Sequence, residues 1–274
     1  MNFITFSRKL GSGGGEIARQ VAEKLGYALY GTEAIEQAAR EMGFLESVKE
    51  IDEKAPSFFR RILSQRPTVD LDRLTSVVYE LSKKGDSVFL GRGSHLLLKS
   101  FQCGLHVRVT ASREKRIQNL VARGYHEESA KTAVDRSDQE RGAFIKFAFG
   151  ADWENPELYD LVINTDKLSS GLAVETVLNA ARSNDMKACS VDALRSIEMM
   201  ALAKRAEAAV IEADLAYGYP VSVSVEVLEP GRVQLGGFVG DEATKVKAEG
   251  VVKAVKGVES IVNKIRVIPS DRFA

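Results

Sequence analysis

A cluster of glycines near the amino terminus is the first part of this sequence that could bind a charged ligand. It lies between a short apolar segment, residues 3–6, and an apolar pattern with helical spacing, residues 17–25. Glycines in that position let backbone N–H groups converge at the positive end of a helix dipole, so we predict a phosphate-binding loop. Its residues are Gly11, Ser12, Gly13, Gly14 and Gly15, with Glu16 directly after them.

Three interpretations of this loop are open. The dinucleotide pattern GxGxxG fits its start, but Glu16 stands where the third glycine belongs. The pattern GxxxxGK[ST] places Arg8 at the first glycine and Gly13 at the second, with Gly14 and Gly15 at the lysine and hydroxyl positions. In the third interpretation the glycines only form a tight turn.

Arginines are the second candidate group. Residues 105–150 hold nine Lys and Arg against six Asp and Glu, whereas the whole chain has 38 of each. Phosphoryl transfer brings several phosphate charges together, and arginine pairs well with phosphate oxygens. The candidates are Arg92, Arg116, Arg123, Arg136 and Arg141. The alternative is that they lie on solvated helical faces.

The hydrophobic pattern predicts strands alternating with helices over about 185 residues. Strands are expected at residues 3–6, 87–90, 105–109 and 160–164, with helices between them and a closing helix at 172–181. Such alternation is typical of an α/β fold with a parallel sheet and helices on both faces. We predict a first domain over residues 1–185.

The pattern changes after the polar residues 183–187. An Ala-rich helix at 192–215 is followed by a valine-rich hairpin turning at Pro230 and Gly231, a helix at 242–256 and a strand at 261–268. This predicts a small α/β domain of α-β-β-α-β order over residues 192–270.

The first domain resembles the cytidylate kinase-like family. The likeness rests on residues 4–8, the glycine loop with Ile17 and Ala18, Gly91-Arg92-Gly93, residues 110–116, Asp138-x-x-Arg141 and residues 152–165, and it covers about residues 1–182. It implies a P-loop kinase-like fold with a monophosphate-binding insertion near residues 31–84 and a lid near 123–150. It also implies the use of ATP and magnesium.

The same resemblance implies roles for individual residues. Arg116 corresponds to an arginine near the ATP base and phosphates, and Arg141, with Asp138 in the same motif, to one that grips phosphates on closure. Arg92 corresponds to the arginine that holds the acceptor monophosphate. The catalytic candidates are Arg8, Arg92, Asp138 and Arg141; the cofactor-binding candidates are the glycine loop, Glu16 and Arg116.

The sequence also departs from that family. Relatives that lack the Walker lysine tend to have a basic residue where this chain has Gly15, so the expected cation is missing, and Arg8 or Lys9 is the substitute. Two roles are open to Glu16, binding magnesium or favouring the helix N-terminus. Gly31 replaces the family's acidic residue after the second strand.

The second domain resembles the BON domain, a small module associated with membrane or ligand attachment. Residues 233–239 and 257–265 carry the likeness, including Gly237 and Gly257. It implies contact with a protein partner or a membrane surface. Nothing in this region is typical of catalysis.

Composition limits the remaining possibilities. The formal net charge is zero, which disfavours nucleic acid as a partner, and no apolar run is long enough to span a bilayer. Cys103 and Cys189 are far apart in sequence and are expected to be reduced thiols, and the three histidines lack metal-ligand spacing. We expect a cytoplasmic protein with nucleotide small-molecule partners and no metal site of its own.

Two functional hypotheses follow. In the first, the chain transfers phosphate from ATP to a nucleoside monophosphate such as CMP or dCMP, or to a similar small acceptor. In the second, it is a catalytically degenerate nucleotide-binding protein whose BON-like domain relays the bound state to a partner or membrane surface. A purely structural role without a ligand is the third possibility.

Overall fold

The structure is a computed structural model that describes residues 2–50, 67–186, 188–216 and 221–268. The chain divides into two compact units. The amino-terminal unit contains residues up to 37 and residues 84–190, and the carboxyl-terminal unit contains residues 191 onwards. The described parts of residues 38–50 and 67–83 belong to the carboxyl-terminal unit.

The amino-terminal unit is built on a five-stranded parallel sheet. In chain order its elements are β1 (Phe3–Arg8), α1 (Gly14–Leu25), β2 (Ala28–Tyr30), β3 (Ser87–Leu90), α5 (Ser94–Leu97), β4 (Gly104–Thr110), α6 (Arg113–Val121), α7 (Glu127–Phe149), β5 (Leu161–Asn164) and α8 (Ser170–Ala181); α2 (Thr32–Glu41) begins in this unit. Within the sheet the strands stand in the order β2-β3-β1-β4-β5. This confirms the predicted α/β class with a parallel sheet.

The hydrophobic pattern missed the edge strand β2, which only the family resemblance implied, directly before Gly31. It has three residues and none of them is fully buried, so it carries no hydrophobic pattern that would reveal a strand. The four predicted strands are present, and β1 and β4 extend beyond their predicted ends. Two helices, α6 and α7, lie between β4 and β5, and Gly124 lies in the turn between them.

The core of this unit explains why the glycine loop is held firmly. Ile17, Ala18 and Val21 of α1 pack against Ile4 and Phe6 of β1, and all five side chains are almost fully buried. Because α1 is fixed to the sheet by its apolar face, its N-terminus is fixed at the carboxyl end of β1. Ligands bind at that edge of open parallel sheets.

The carboxyl-terminal unit contains a mixed four-stranded sheet. Its hairpin is antiparallel, and β8 and β9 both pair parallel to β7. Its elements are α3 (Leu45–Glu50), α4 (Pro67–Ser82), α9 (Val191–Glu212), β6 (Ser222–Glu229), β7 (Arg232–Val239), α10 (Glu242–Lys253), β8 (Ser260–Asn263) and β9 (Arg266–Val267); the second half of α2 also belongs to it. The predicted order of helices and strands is found, except that the last strand consists of two short ones.

Helix α4 packs along α9 in this unit. Lys204 of α9 pairs with Asp72 at 3.0 Å, and Arg205 pairs with Glu80 at 2.6 Å. Burial alone would lower the pKa of Lys204, but Glu207 and Asp72 raise it to about 12. The sequence resemblance had suggested that residues 31–84 form an insertion of the first domain, whereas α4 packs with the second unit.

The prediction of two reduced thiols is wrong for this structure. Cys103 and Cys189 form a disulfide within the amino-terminal unit, with their Cα atoms 4.9 Å apart. Their separation of 86 residues hid the pairing, because only the sheet brings the start of β4 close to the segment after α8. Among the described residues no helix is long and apolar enough to cross a membrane.

Candidate functional site

The glycine loop has the backbone geometry of a close turn. Gly11 and Gly13 have φ values of 83° and 82°, a region that residues with a side chain rarely adopt. A Cβ atom on Gly11 would lie 2.6 Å from the carbonyl oxygen of Arg116. Both glycines are therefore required, and Gly13 caps α1 without a side chain that would cover its N-terminus.

Ser12 is part of the scaffold of the loop. Its side chain is 2% exposed, and its hydroxyl lies 2.8 Å from the carbonyl oxygen of Lys9 and 3.2 Å from that of Val109. The Gly14 N–H donates to the same hydroxyl at 3.4 Å. Ser12 thus ties the loop to the ends of β1 and β4, and its contribution to a phosphate site would come from its backbone.

Gly14 and Gly15 differ in the space around them. A Cβ atom on Gly14 would lie 2.6 Å from Cβ of Arg8 and 3.0 Å from Cβ of Val109. A Cβ atom on Gly15 would meet nothing closer than the Leu90 side chain at 4.0 Å. Arg8 therefore occupies the space that a side chain at position 14 would need, while position 15 is open.

Arg8 and Arg141 are brought together. Nη1 of Arg141 donates to the carbonyl oxygen of Arg8 at 2.8 Å, and the Arg141 side chain is buried. Both residues line a narrow cleft with Gly91, Gly93 and Trp153. Three regions that are far apart in sequence, the end of β1, the end of β3 and α7, meet in this cleft.

Arg92 lies in a strained turn at the carboxyl end of β3. Its φ is 57°, and its neighbours Gly91 and Gly93 also have positive φ values. The side chain is buried, and Nη2 is 3.7 Å from Glu36 Oε1, beyond hydrogen-bond distance. A Cβ atom on Gly93 would lie 2.3 Å from the ring of Phe149, so the end of α7 packs directly on this turn.

Arg116 is held by a carboxylate. It donates from two nitrogens to Asp138 at 2.9 and 2.7 Å, and it also contacts the carbonyl oxygens of Ala111 and Leu10. Its side chain is 4% exposed. The pair joins α6, α7 and the start of the glycine loop, which is a positioning arrangement for both of these predicted site residues.

Glu16 lies in the exposed first turn of α1. Its carboxylate accepts hydrogen bonds from Arg19 and Gln20, and these bonds lower its pKa to about 2. It is ionised at neutral pH, and its oxygens are already engaged. Among the described residues no group of three His, Cys, Asp or Glu could hold a metal ion.

A larger cavity of about 480 Å³ lies beside the glycine loop. Ser12 and Gly13 form one wall, and Lys115, Arg123 and Lys167 contribute positive charge. Arg123 was a candidate from the charge pattern, and this is where it lies. Arg136, another candidate, pairs with Glu140 at 2.7 Å on an exposed face of α7.

Sequence reasoning missed a second group of charges next to the narrow cleft. Glu154 pairs with Lys9 at 2.9 Å and with Arg108 at 2.8 Å, and Arg108 stacks over Trp153 and Tyr159. Lys9, one of the two substitutes for the missing cation, is therefore engaged by a carboxylate that it shares with Arg108. A basic residue in the middle of the apolar strand β4 was the signal that could have revealed this group.

The comparisons with known proteins agree with the geometry. A model of the cytidylate kinase-like family matches residues 3–167, and a BON domain model matches residues 203–269. The chain belongs to the cytidylate kinase-like family. The first match contains the glycine loop, Arg92, Arg116, Asp138 and Arg141.

Individual relatives resemble the amino-terminal two thirds of the chain. A cytidylate kinase from Ignicoccus hospitalis is 26% identical over 180 residues, which are 65% of this chain and 97% of the relative. The crystal structure of an uncharacterized protein from Eubacterium ventriosum aligns with a TM-score of 0.54 at 19% identity. That alignment covers 67% of this chain and 100% of the other. At that identity the structural likeness shows the fold alone.

Proposed function

We propose that this chain is a kinase that transfers the terminal phosphoryl group of ATP to a nucleoside monophosphate or a similar small acceptor. The observation that carries the proposal is the meeting of Arg8, Arg141 and the Gly91–Gly93 turn in one cleft beside the glycine loop. All of them lie at the carboxyl edge of the parallel sheet, where phosphate ligands bind in such folds. The membership of the cytidylate kinase-like family supports it.

ATP fits the residues beside the loop. The N-terminus of α1 is capped by a glycine, so its backbone N–H groups can face phosphate oxygens. Lys115, Arg123 and Lys167 would attract the nucleotide to the neighbouring cavity. Magnesium would bind through the phosphate oxygens and would neutralise their charge. Glu16 is not assigned to it, because Arg19 and Gln20 already engage the Glu16 carboxylate.

The arginines then divide into two roles. Arg92 would bind the acceptor phosphate, and Arg141 would pair with the transferred group while its other nitrogen stays on the Arg8 carbonyl oxygen. An acceptor oxygen forms the new bond to phosphorus as the bond to the ADP oxygen breaks. Arg116 and Asp138 hold the loop and α7 in register and touch neither phosphate.

The first test is ADP formation from ATP and magnesium across a panel of ribo- and deoxynucleoside monophosphates, with CMP first. Arg92→Ala should raise the KM for the acceptor more than the KM for ATP, and Arg141→Ala should lower kcat by about 100-fold. Arg136→Ala is the matched control, because this arginine is exposed and pairs with Glu140. Equal loss of ATP and acceptor affinity in Arg92→Ala would contradict its assignment.

Arg92 and Arg141 are buried, so misfolding must be separated from loss of function. Arg92→Lys and Arg141→Lys keep the charge but lose bidentate pairing. We expect both to unfold at nearly the wild-type temperature and to remain well below wild-type turnover. Full recovery of turnover by lysine would show that charge alone, and not the guanidinium geometry, is required.

A second function is the binding of nucleotide without turnover. It is favoured because Gly15 stands where relatives tend to have a basic residue. Arg8 packs against Gly14, Lys9 is paired with Glu154, and Gly15 has no side chain, which would suit a protein that binds nucleotide without turnover. The Gly15→Lys variant distinguishes the kinase from the nucleotide-binding regulatory protein. It should fold, because position 15 has room for a side chain. In a kinase with measurable activity this variant should raise turnover by at least about tenfold. Tight ATP binding without turnover in the wild type, across the whole panel, would favour the regulatory function.

A further inference from the structure

The disulfide joins two parts of the amino-terminal unit with very different surroundings. Cys103 precedes β4, is 3% exposed, and its carbonyl oxygen accepts the N–H of Phe3 at 3.2 Å. Cys189 is half-buried and lies at the end of residues 183–190, the segment that follows α8. One cysteine is therefore buried beside the sheet, and the other is partly exposed at the end of a polar segment.

The segment that carries Cys189 forms part of a cavity wall. A cavity of about 470 Å³ lies at the amino-terminal ends of β4 and β5, on the edge of the sheet opposite to the glycine loop. Asp185 and Met186 line it from the segment, and His106 and Asp160 line it from the strands. Because Asp185 and Met186 are only three or four residues from Cys189, the cross-link limits how far this wall can move.

The unequal burial of the two cysteines sets the side from which exchange would occur. Thiol–disulfide exchange requires a thiolate to approach a disulfide sulfur, and Cys189 is partly exposed while Cys103 is 3% exposed. Breaking the bond leaves Cys103 in place because its backbone is bound to β1. Only the segment 183–190 gains freedom.

We propose that the Cys103–Cys189 disulfide is a reversible redox tether. When it is oxidised, it holds Cys189 against the start of β4 and keeps Asp185 and Met186 in the wall of the cavity; when it is reduced, it releases them and opens that wall. The co-reactant is a dithiol reductant or its disulfide form, either a small molecule or a protein.

The exchange balances as follows. A thiolate of the dithiol attacks Sγ of Cys189, the Cys103–Cys189 bond breaks, and Cys103 leaves as a thiolate. The second thiol of the reductant then attacks the mixed disulfide and releases the Cys189 thiolate. Each cysteine thiolate then takes up a proton. The dithiol has lost two electrons and has become a disulfide. A disulfide oxidant reverses each step.

The first experiment is peptide mass spectrometry of the purified full chain without reductant. A cross-linked peptide pair containing Cys103 and Cys189 is expected, and it should disappear after treatment of the folded protein with dithiothreitol. Equilibration in glutathione buffers of increasing reducing strength should give a midpoint within the range of those buffers. Absence of the cross-linked pair, or resistance to every buffer until the protein is denatured, would overturn the proposal.

The second experiment measures release of the segment by hydrogen–deuterium exchange. On reduction, backbone exchange in residues 183–190 should become at least about tenfold faster, while exchange in β1 and β4 stays unchanged. The Cys103→Ser/Cys189→Ser double variant is the matched control, and it should exchange fast with or without dithiothreitol. Unchanged exchange in the reduced wild type would mean that the bond is a passive staple, which overturns the tether.

Discussion

The two compact units bury different kinds of side chain. Among the described residues of the amino-terminal unit, four arginines are buried: Arg92, Arg108, Arg116 and Arg141. Among the described residues of the carboxyl-terminal unit, Asp72 is the buried charged side chain, and the core consists of Val, Leu, Ala and Ile. A buried guanidinium group is costly unless it is paired, so a unit that buries four of them is organised around charge.

The four buried arginines have partners of different kinds. Arg108 and Arg116 each lie within 2.9 Å of a carboxylate oxygen, whereas Arg92 is 3.7 Å from Glu36 and Arg141 donates to a backbone carbonyl oxygen. Arg141 lines the narrow cleft, and so do Gly91 and Gly93 on either side of Arg92. We propose the phosphate roles for Arg92 and Arg141 because of this position at the carboxyl edge of the sheet.

The largest expected loss of stability comes from removing the carboxylate partner of a buried arginine. Asp138→Ala leaves Arg116 buried without its carboxylate, and we expect a loss of about 3 kcal/mol in the free energy of unfolding. Denaturant unfolding of the full chain measures it. Asp135→Ala, on the same helix, is the control, because Asp135 and its partner Arg113 are exposed and removing that pair should leave stability unchanged. If Asp138→Ala were as stable as Asp135→Ala but had lost ATP turnover, Arg116 would belong with the binding arginines.

An intermediate effect is expected at the two adjacent glycines of the loop. Gly14→Ala forces a Cβ atom against Arg8 and Val109 and should cost about 2 kcal/mol. Gly15→Ala enters open space in the first turn of α1 and should stabilise the protein by about 0.5 kcal/mol. Thermal unfolding of both variants gives the comparison. Equal effects would contradict the close packing of Arg8 on Gly14.

The smallest expected effect is on the way the free energy of unfolding depends on pH. His106 is buried in β4, with Nδ1 2.8 Å from the Thr5 hydroxyl, and burial lowers its pKa below 6.5, with Asp160 acting in the opposite direction. The unfolded chain therefore binds more protons than the folded chain just below pH 6.5, so stability should fall as the pH drops through that value. His106→Gln should flatten this part of the curve of unfolding free energy against pH. An unchanged slope in the variant would assign the effect to another group.

Local patterns in the sequence determined the class of the fold and the place of the phosphate loop. The apolar periodicities of residues 3–6 and 17–25 are local signals, and the glycines between them are required by the positive φ of Gly11 and Gly13. The predicted strand at residues 87–90 puts Arg92 just beyond a strand end. The change of pattern after residue 183 likewise marked a second region.

Only the tertiary structure decided which partner each charged side chain has and which distant residues meet. Three contacts join residues more than 80 positions apart: the disulfide of Cys103 with Cys189, the ion pair of Lys9 with Glu154, and the packing of α4 along α9. Such long-range contacts cannot be predicted from hydrophobic periodicity, because the residues around each partner show the same local pattern whether or not the contact forms. For the same reason the sequence listed Arg116 as a candidate for binding ATP, and only the folded protein shows that its guanidinium group is held by the Asp138 carboxylate.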